Sequence, residues 1–169
     1  MEEQVAERMI IRGTPEDCYN VLSEFGRYPE WAADIKSVQV EEHDDSGRPR
    51  VVTYRAAAFG RSTSYTLRYD YSLAPEELSW VQTSGDLTRR LDGSYHLSPS
   101  GDGGTEIVYR LVVDLKVPLP GFVKRRAEGR IMGTALRELK AVVEGSAPDD
   151  ITGPPGAGES GGRPPTPEA

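Results

Sequence analysis

The sequence predicts an α+β fold in which a curved antiparallel β-sheet of about seven strands wraps around a long C-terminal helix, with two short helices after the first strand. Three observations predict it. Residues 118–145 repeat apolar side chains at helical steps (Ile131, Ala135, Leu139, Val142 and Val143), and Met132 and Leu136 widen the stripe. Between residues 35 and 115 the period changes to two. A single amphipathic helix must hide its stripe, and a sheet is the only large partner available. Twisted, hairpin-linked strands then curl over the helix, and the space between them is the expected functional site.

The elements follow in order. Residues 5–11 form a short strand ending in Met9, Ile10 and Ile11. Thr14 is a helix N-cap, with Pro15 in the first turn and Glu16 and Asp17 at the positive end of the helix dipole. Cys18, Val21, Leu22 and Phe25 give that helix its apolar face, and Gly26 stops it. A second short helix spans 28–33, again with an early proline. Val38 and Val40 mark the next strand, and residues 43–47 form a hairpin turn by composition. Residues 50–59 place Val52, Tyr54, Ala56 and Ala58 on one face before Gly60 breaks the strand. Residues 64–73 alternate Tyr65, Leu67, Tyr69, Tyr71 and Leu73 with polar neighbours, the pattern of a half-buried antiparallel strand. A strand around Trp80 spans 78–83. Another, over 87–97, puts Leu87, Arg89, Leu91, Gly93, Tyr95 and Leu97 on one side. After a loop at 99–104, residues 105–115 close the meander with Ile107, Tyr109, Leu111, Val113 and Leu115 inward. Pro120 suits the first turn of the long helix, and Gly145 its end.

Residues 1–145 thus read as one domain. Residues 146–169 hold six prolines and five glycines with hardly an apolar side chain, so they read as a disordered tail. The formal charge of −7 argues against general attraction to nucleic acid. One cysteine excludes an internal disulfide framework. The acidic start lacks an apolar signal core, and no run approaches the ~18 apolar residues of a membrane span, so the expected location is the cytoplasm.

Small inward residues (Ala56, Ala58, Gly93) beside aromatic rings with polar tips are what an apolar pocket with a few oriented polar groups requires. The expected cavity residues are Trp31, Tyr54, Tyr69, Tyr71, Trp80, Arg89, Tyr95, Met132 and Leu136. Arg89, on the inward register, would hold a ligand oxygen; alternatively it reaches out of the strand end or pairs with a glutamate. Metal-ligand spacing is lacking, as are a P-loop, a dinucleotide fingerprint and a nucleophile elbow, and no cofactor is expected. His43 reads as solvated, His96 as outward-facing and Cys18 as core. Phe122 with Lys124, Arg125 and Arg126 would suit transient contact with an anionic membrane surface, though such a run also reads as a solvated helix face.

Several motifs carry a resemblance: Thr14 to Asp17, Tyr28-Pro29-Glu30-Trp31, Leu91 to Tyr95, Gly104-Thr105-Glu106, and Pro118 to Gly121. In order and spacing they resemble the START-like superfamily, nearest its polyketide cyclase/dehydrase and coenzyme-Q-carrier branch. The resemblance implies a helix-grip fold around a cavity for hydrophobic ligands. Its members are carriers of lipids, quinones or similar molecules, or aromatic polyketide cyclases. The cyclases are similar around Pro29-Glu30 and are thought to use a cavity arginine and a tyrosine at positions that fall here on Tyr69 and Ile35. Arg68 is one step away, on the opposite face by alternation. The expected function is therefore binding or transport of a hydrophobic small molecule, with aromatase/cyclase activity as the alternative.

Overall fold

Thr14 accepts a hydrogen bond from the Asp17 N–H at 3.1 Å, and the Asp17 carboxylate accepts one from the Thr14 N–H at 3.3 Å. This capping box satisfies two orphan donors and fixes where the first helix begins. In the computed structural model, which describes residues 5–58 and 60–145, it separates β1 (Val5–Ile11) from α1 (Pro15–Ser23). A 3-10 turn (Phe25–Arg27) contains Gly26, so α1 stops before the glycine expected to end it. The chain continues through α2 (Tyr28–Trp31), β2 (Ile35–His43), β3 (Pro49–Ala58), β4 (Arg61–Asp70), β5 (Glu77–Gly85), β6 (Thr88–Pro99), β7 (Thr105–Leu115) and α3 (Gly121–Gly145). The side chain of Ala58, Phe59 and the expected tail over 146–169 lie outside the described residues.

All seven strands join one antiparallel sheet in the order β1-β7-β6-β5-β4-β3-β2. Strands β2 to β7 form a plain meander, and β1 returns to pair with β7, Val5 opposite Leu111 and Ile11 opposite Thr105. The expected architecture of a seven-stranded sheet, two short helices and one long C-terminal helix is the observed one. α3 starts three residues later than the apolar pattern suggests. The Pro120 carbonyl accepts hydrogen bonds from the Val123 and Lys124 N–H groups, which places the proline just ahead of the first turn.

α3 crosses the sheet on its β1–β7 side and also touches α1. It buries Glu128, Met132, Leu136, Leu139 and Val143. Gly13 permits close approach at the far end of the helix: a Cβ there would lie 2.7 Å from Val143 Cγ1. The Glu144 carboxylate accepts the Arg12 N–H at 2.9 Å, tying the end of α3 to the chain leaving β1. Because α3 covers one side of the sheet, the concave face of β3, β4 and β5 is left without a helix directly over it.

Candidate functional site

That uncovered concavity is a cavity of about 910 Å3. Alternation fixes its wall. Tyr54 and Ala56 of β3, Thr63, Leu67 and Tyr69 of β4, and Trp80 of β5 are buried on one face, with Tyr65 half-buried among them. α2 and the residue after it contribute Tyr28, Trp31 and Ala32 to the lining, and α3 contributes Ala127, Ile131, Thr134 and Ala135. Exposed lining residues mark the mouth: Asp34, Ala57, Gly60, Arg61, Arg126 and Arg130.

Cross-strand pairing builds an aromatic floor. Tyr54 faces Tyr65, Tyr69 faces Trp80, and Tyr95 faces Tyr109 across adjacent strands. Their rings lie 5.4, 5.9 and 4.4 Å apart. Such pairs stabilise a sheet beyond the area they bury. Opposite Trp80 stands Gly93. A Cβ at Gly93 would come within 2.7 Å of Trp80 Cζ2 and 2.5 Å of the Arg110 carbonyl oxygen, so the glycine makes room for the indole. Phe25 stacks on Tyr69 at 4.2 Å.

The polar groups in this wall mostly satisfy one another. The Tyr54 and Tyr69 hydroxyls lie 2.6 Å apart. The Tyr28 hydroxyl donates to the Leu22 carbonyl at 2.5 Å. Thr63 donates to Asp86 and Thr88 to Gln82. Among the described residues the Tyr65 hydroxyl has no hydrogen-bond partner, and it belongs to the lining. Burial is the leading cause that pushes the tyrosine phenols up, Tyr109 to about 12 and Tyr28, Tyr54, Tyr65, Tyr69 and Tyr95 likewise above their ordinary value. At neutral pH these phenols are uncharged hydrogen-bonding groups, not bases. The described residues contain no cluster of His, Cys, Asp and Glu able to hold a metal ion.

Of the expected cavity residues, Trp31, Tyr54, Tyr69, Trp80 and Tyr95 line the void. Four do not. The Arg89 side chain is 61% exposed, with Nη1 3.5 Å from the Asp114 carboxylate. The reason is a bulge. Thr88 pairs with Leu115 and Arg90 with Asp114, so Arg89 is an extra residue that resets the alternation. Thr88, not Arg89, takes the inward place. Tyr71 lies past the end of β4, where its hydroxyl donates to the Pro49 carbonyl at 2.5 Å and the Arg48 guanidinium stacks 4.5 Å from its ring centre. Met132 and Leu136 are buried on the neighbouring face of α3, while Ile131 and Ala135 face the cavity. One residue along a helix rotates the side chain by about 100°, which separates these two faces.

Arg68 is exposed on the outer face of β4, as alternation requires. The irregularity between β4 and β5 falls on the β5 side, where Thr66 pairs with Ser84 and Leu67 with Gln82, so β4 keeps its register. Cys18 is fully buried, and burial raises its thiol pKa. Tyr28, Tyr65, Tyr109 and Arg61 line the cavity but were not among the expected site residues. Tyr65 and Tyr109 share the inward alternation that selected Tyr69 and Tyr95. Arg61 falls on the same odd-numbered register, but it precedes residue 64, where the expected strand begins, and follows the turn at Gly60, whose φ is 77°.

Comparison with known proteins places this geometry. No curated protein sequence matches the chain. Among solved structures, a START superfamily protein from Mycobacterium smegmatis superposes with a TM-score of 0.82 at 21% identity, covering 87% of this chain and all of the other. The Zhui aromatase/cyclase from Streptomyces sp. R1128 gives 0.75 at 13% identity, over 86% of this chain and 95% of that one. The di-domain aromatase/cyclase BexL of the BE-7585A biosynthetic pathway gives 0.67 at 17% identity, over 90% of this chain and 48% of its own. These likenesses show the START-like fold. The family model described as polyketide cyclase / dehydrase and lipid transport matches residues 2–144, and the chain belongs to that family.

Proposed function

We propose that the protein binds and carries a hydrophobic small molecule, a lipid, quinone or polyketide-like compound, in the cavity between the sheet and α3. The observation that carries this reading is the void itself. At about 910 Å3 it lies near the upper end of the roughly 300–1,000 Å3 range of small-molecule pockets, and aromatic and aliphatic side chains dominate its wall. Burying an apolar guest there is favourable by roughly 25 cal/mol per Å2 of surface removed from water. Most interior polar groups are already paired, so Tyr65 is the natural partner for one oxygen of the guest. A carrier must also meet its source, and exposed Phe122, Arg125 and Arg126 beside the mouth suit contact with an anionic membrane surface. Lys124 is set back, donating to Glu128 at 3.0 Å.

A second reading is cyclisation of a poly-β-ketone chain. It draws support from the family description and from the likeness to Zhui and BexL, both described as aromatase/cyclases. Ring closure needs a base that removes a proton from a carbon between two carbonyls. The described interior offers phenols that hold their protons. Of the acids in the lining, Asp34 is exposed at the mouth, and Glu138 accepts the Ala33 N–H at 3.1 Å with one carboxylate oxygen. Carriage therefore asks less of the site.

Native mass spectrometry of the protein purified from its own host tests the first reading. The expected result is a co-purifying apolar molecule that Ala56→Phe, which fills the cavity, removes without altering the circular dichroism. Protein that is empty in both forms, or that turns an enzyme-free poly-β-ketone thioester into rings faster than buffer does, would overturn carriage as the function.

A further inference from the structure

We infer that the guest carries an anionic end group, which stays at the mouth and is held there by Arg61, Arg126 and Arg130. This rests on the reading that the cavity takes an apolar guest, and it adds the chemistry of the guest's other end. Arg126 and Arg130 stand one turn apart on α3, above Val123, Ala127 and Ile131 of the lining. Arg61 enters the same lining from the first residue of β4. All three are exposed.

None of the three forms an ion pair among the described residues, whereas Arg8, Arg27, Arg48, Arg50 and Arg89 each have a carboxylate partner. Asp86 senses the Arg61 charge but is engaged by the Thr63 hydroxyl at 2.6 Å and the Ser64 N–H at 3.1 Å. Asp34 and Glu138 belong to the lining without pairing with any of the arginines.

The interior decides where a charge can sit. Tyr54, Leu67, Tyr69, Trp80, Tyr95 and Leu111 form its buried wall, and none of them is ionised at neutral pH. An anion drawn into that wall would lose its hydration for a few phenolic hydrogen bonds. At the mouth it keeps part of its water and meets three guanidinium groups, whose forked donors match a carboxylate or phosphate. A cationic end group is repelled by the same three charges. A neutral one gains nothing from them. The favoured guest is an amphiphile with its anion outward and its apolar body inward.

Fluorescence titration of the full chain with cis-parinaric acid and with its methyl ester tests this, at about pH 8, where the free acid is ionised. The two probes share one apolar body. The acid should bind about ten-fold more tightly than the ester. The triple variant Arg61→Gln, Arg126→Gln, Arg130→Gln should bring the acid down to the affinity of the ester while leaving the ester unchanged, which also reports an intact cavity. Equal affinity of the wild type for both probes, or a preference that survives the triple substitution, overturns the anion proposal and leaves the cavity reading standing. If neither probe binds the wild type, the cavity reading falls and this inference falls with it.

Discussion

A phenol moved from water into an apolar wall loses the hydration that stabilises its anion, so its proton is held more tightly. Burial is the leading cause of a raised pKa at each of the chain's eight tyrosines. The consequence for stability has a definite sign. Below about pH 10 the phenols are protonated in both folded and unfolded chains, and the contribution is fully present. Above that, the unfolded chain releases protons that the native chain keeps, and stability falls as pH rises toward the folded values, about 12 for Tyr109. Ultraviolet absorbance of tyrosinate should therefore stay low in native protein at about pH 10, where a free tyrosine is half ionised. Urea midpoints should drop steadily above that pH. Ordinary titration of several tyrosines in the native protein would show that their hydroxyls are solvated and that the cavity wall is wetter than described.

At the scale of an element, Glu128 shows how α3 is locked to the sheet. It is 1% exposed and accepts the Val113 N–H of β7 at 3.1 Å and the Lys124 ammonium at 3.0 Å. Val113 lies beyond the Val5–Leu111 pair where described β1 begins, so a helix carboxylate takes the place of a strand partner. Glu128→Ala should leave that buried N–H unsatisfied and cost about 1–3 kcal/mol in urea unfolding. Glu128→Gln keeps an oxygen for Val113 and should cost less. Equal losses from both would assign the effect to the Lys124 pair and sink this account. Elements of this kind also mark how far the sequence could be read. Strict period-two alternation in β4 placed Tyr69 inside and Arg68 outside. The same rule failed in β6, because the single inserted residue at Arg89 is set by pairing with β7, which the local pattern does not encode. On α3 the apolar stripe was visible, but which edge of it meets the cavity depends on the helix packing toward β1, β7 and α1. Ile131 and Ala135 thus line the void, while Met132 and Leu136 fill the core. Arg61 and Glu128 fall on the periods of β4 and α3, but a charged side chain carries no inward signal there, and their roles arise from distant chain meeting at the mouth and at the end of β1.

At the scale of the whole molecule, charge and apolar surface are unevenly distributed. The chain carries −7, yet residues 116–130 contain Lys116, Lys124, Arg125, Arg126 and Arg130 against one acid, the buried Glu128. The same stretch exposes Val117, Leu119 and Phe122, the last at 63%. Exposed large apolar side chains beside like-signed cations fit an anionic bilayer better than bulk water. Burying Phe122 is worth roughly 1.5–3 kcal/mol, and each cation near an anionic lipid surface adds about 1 kcal/mol. Against this stands the acidic remainder of the chain, whose repulsion is screened beyond about 8 Å at physiological ionic strength. The patch should therefore act locally, holding the mouth of the cavity toward the bilayer. Co-sedimentation should be seen with phosphatidylcholine vesicles containing phosphatidylglycerol, and little with phosphatidylcholine alone. It should weaken with added salt and weaken further in Phe122→Ser and in Arg125→Glu, both with unchanged thermal midpoints. Binding that ignores the anionic lipid, or that survives both substitutions, would place the contact elsewhere on the molecule; no binding to either vesicle would leave the exchange of guest to proceed through water or a protein partner.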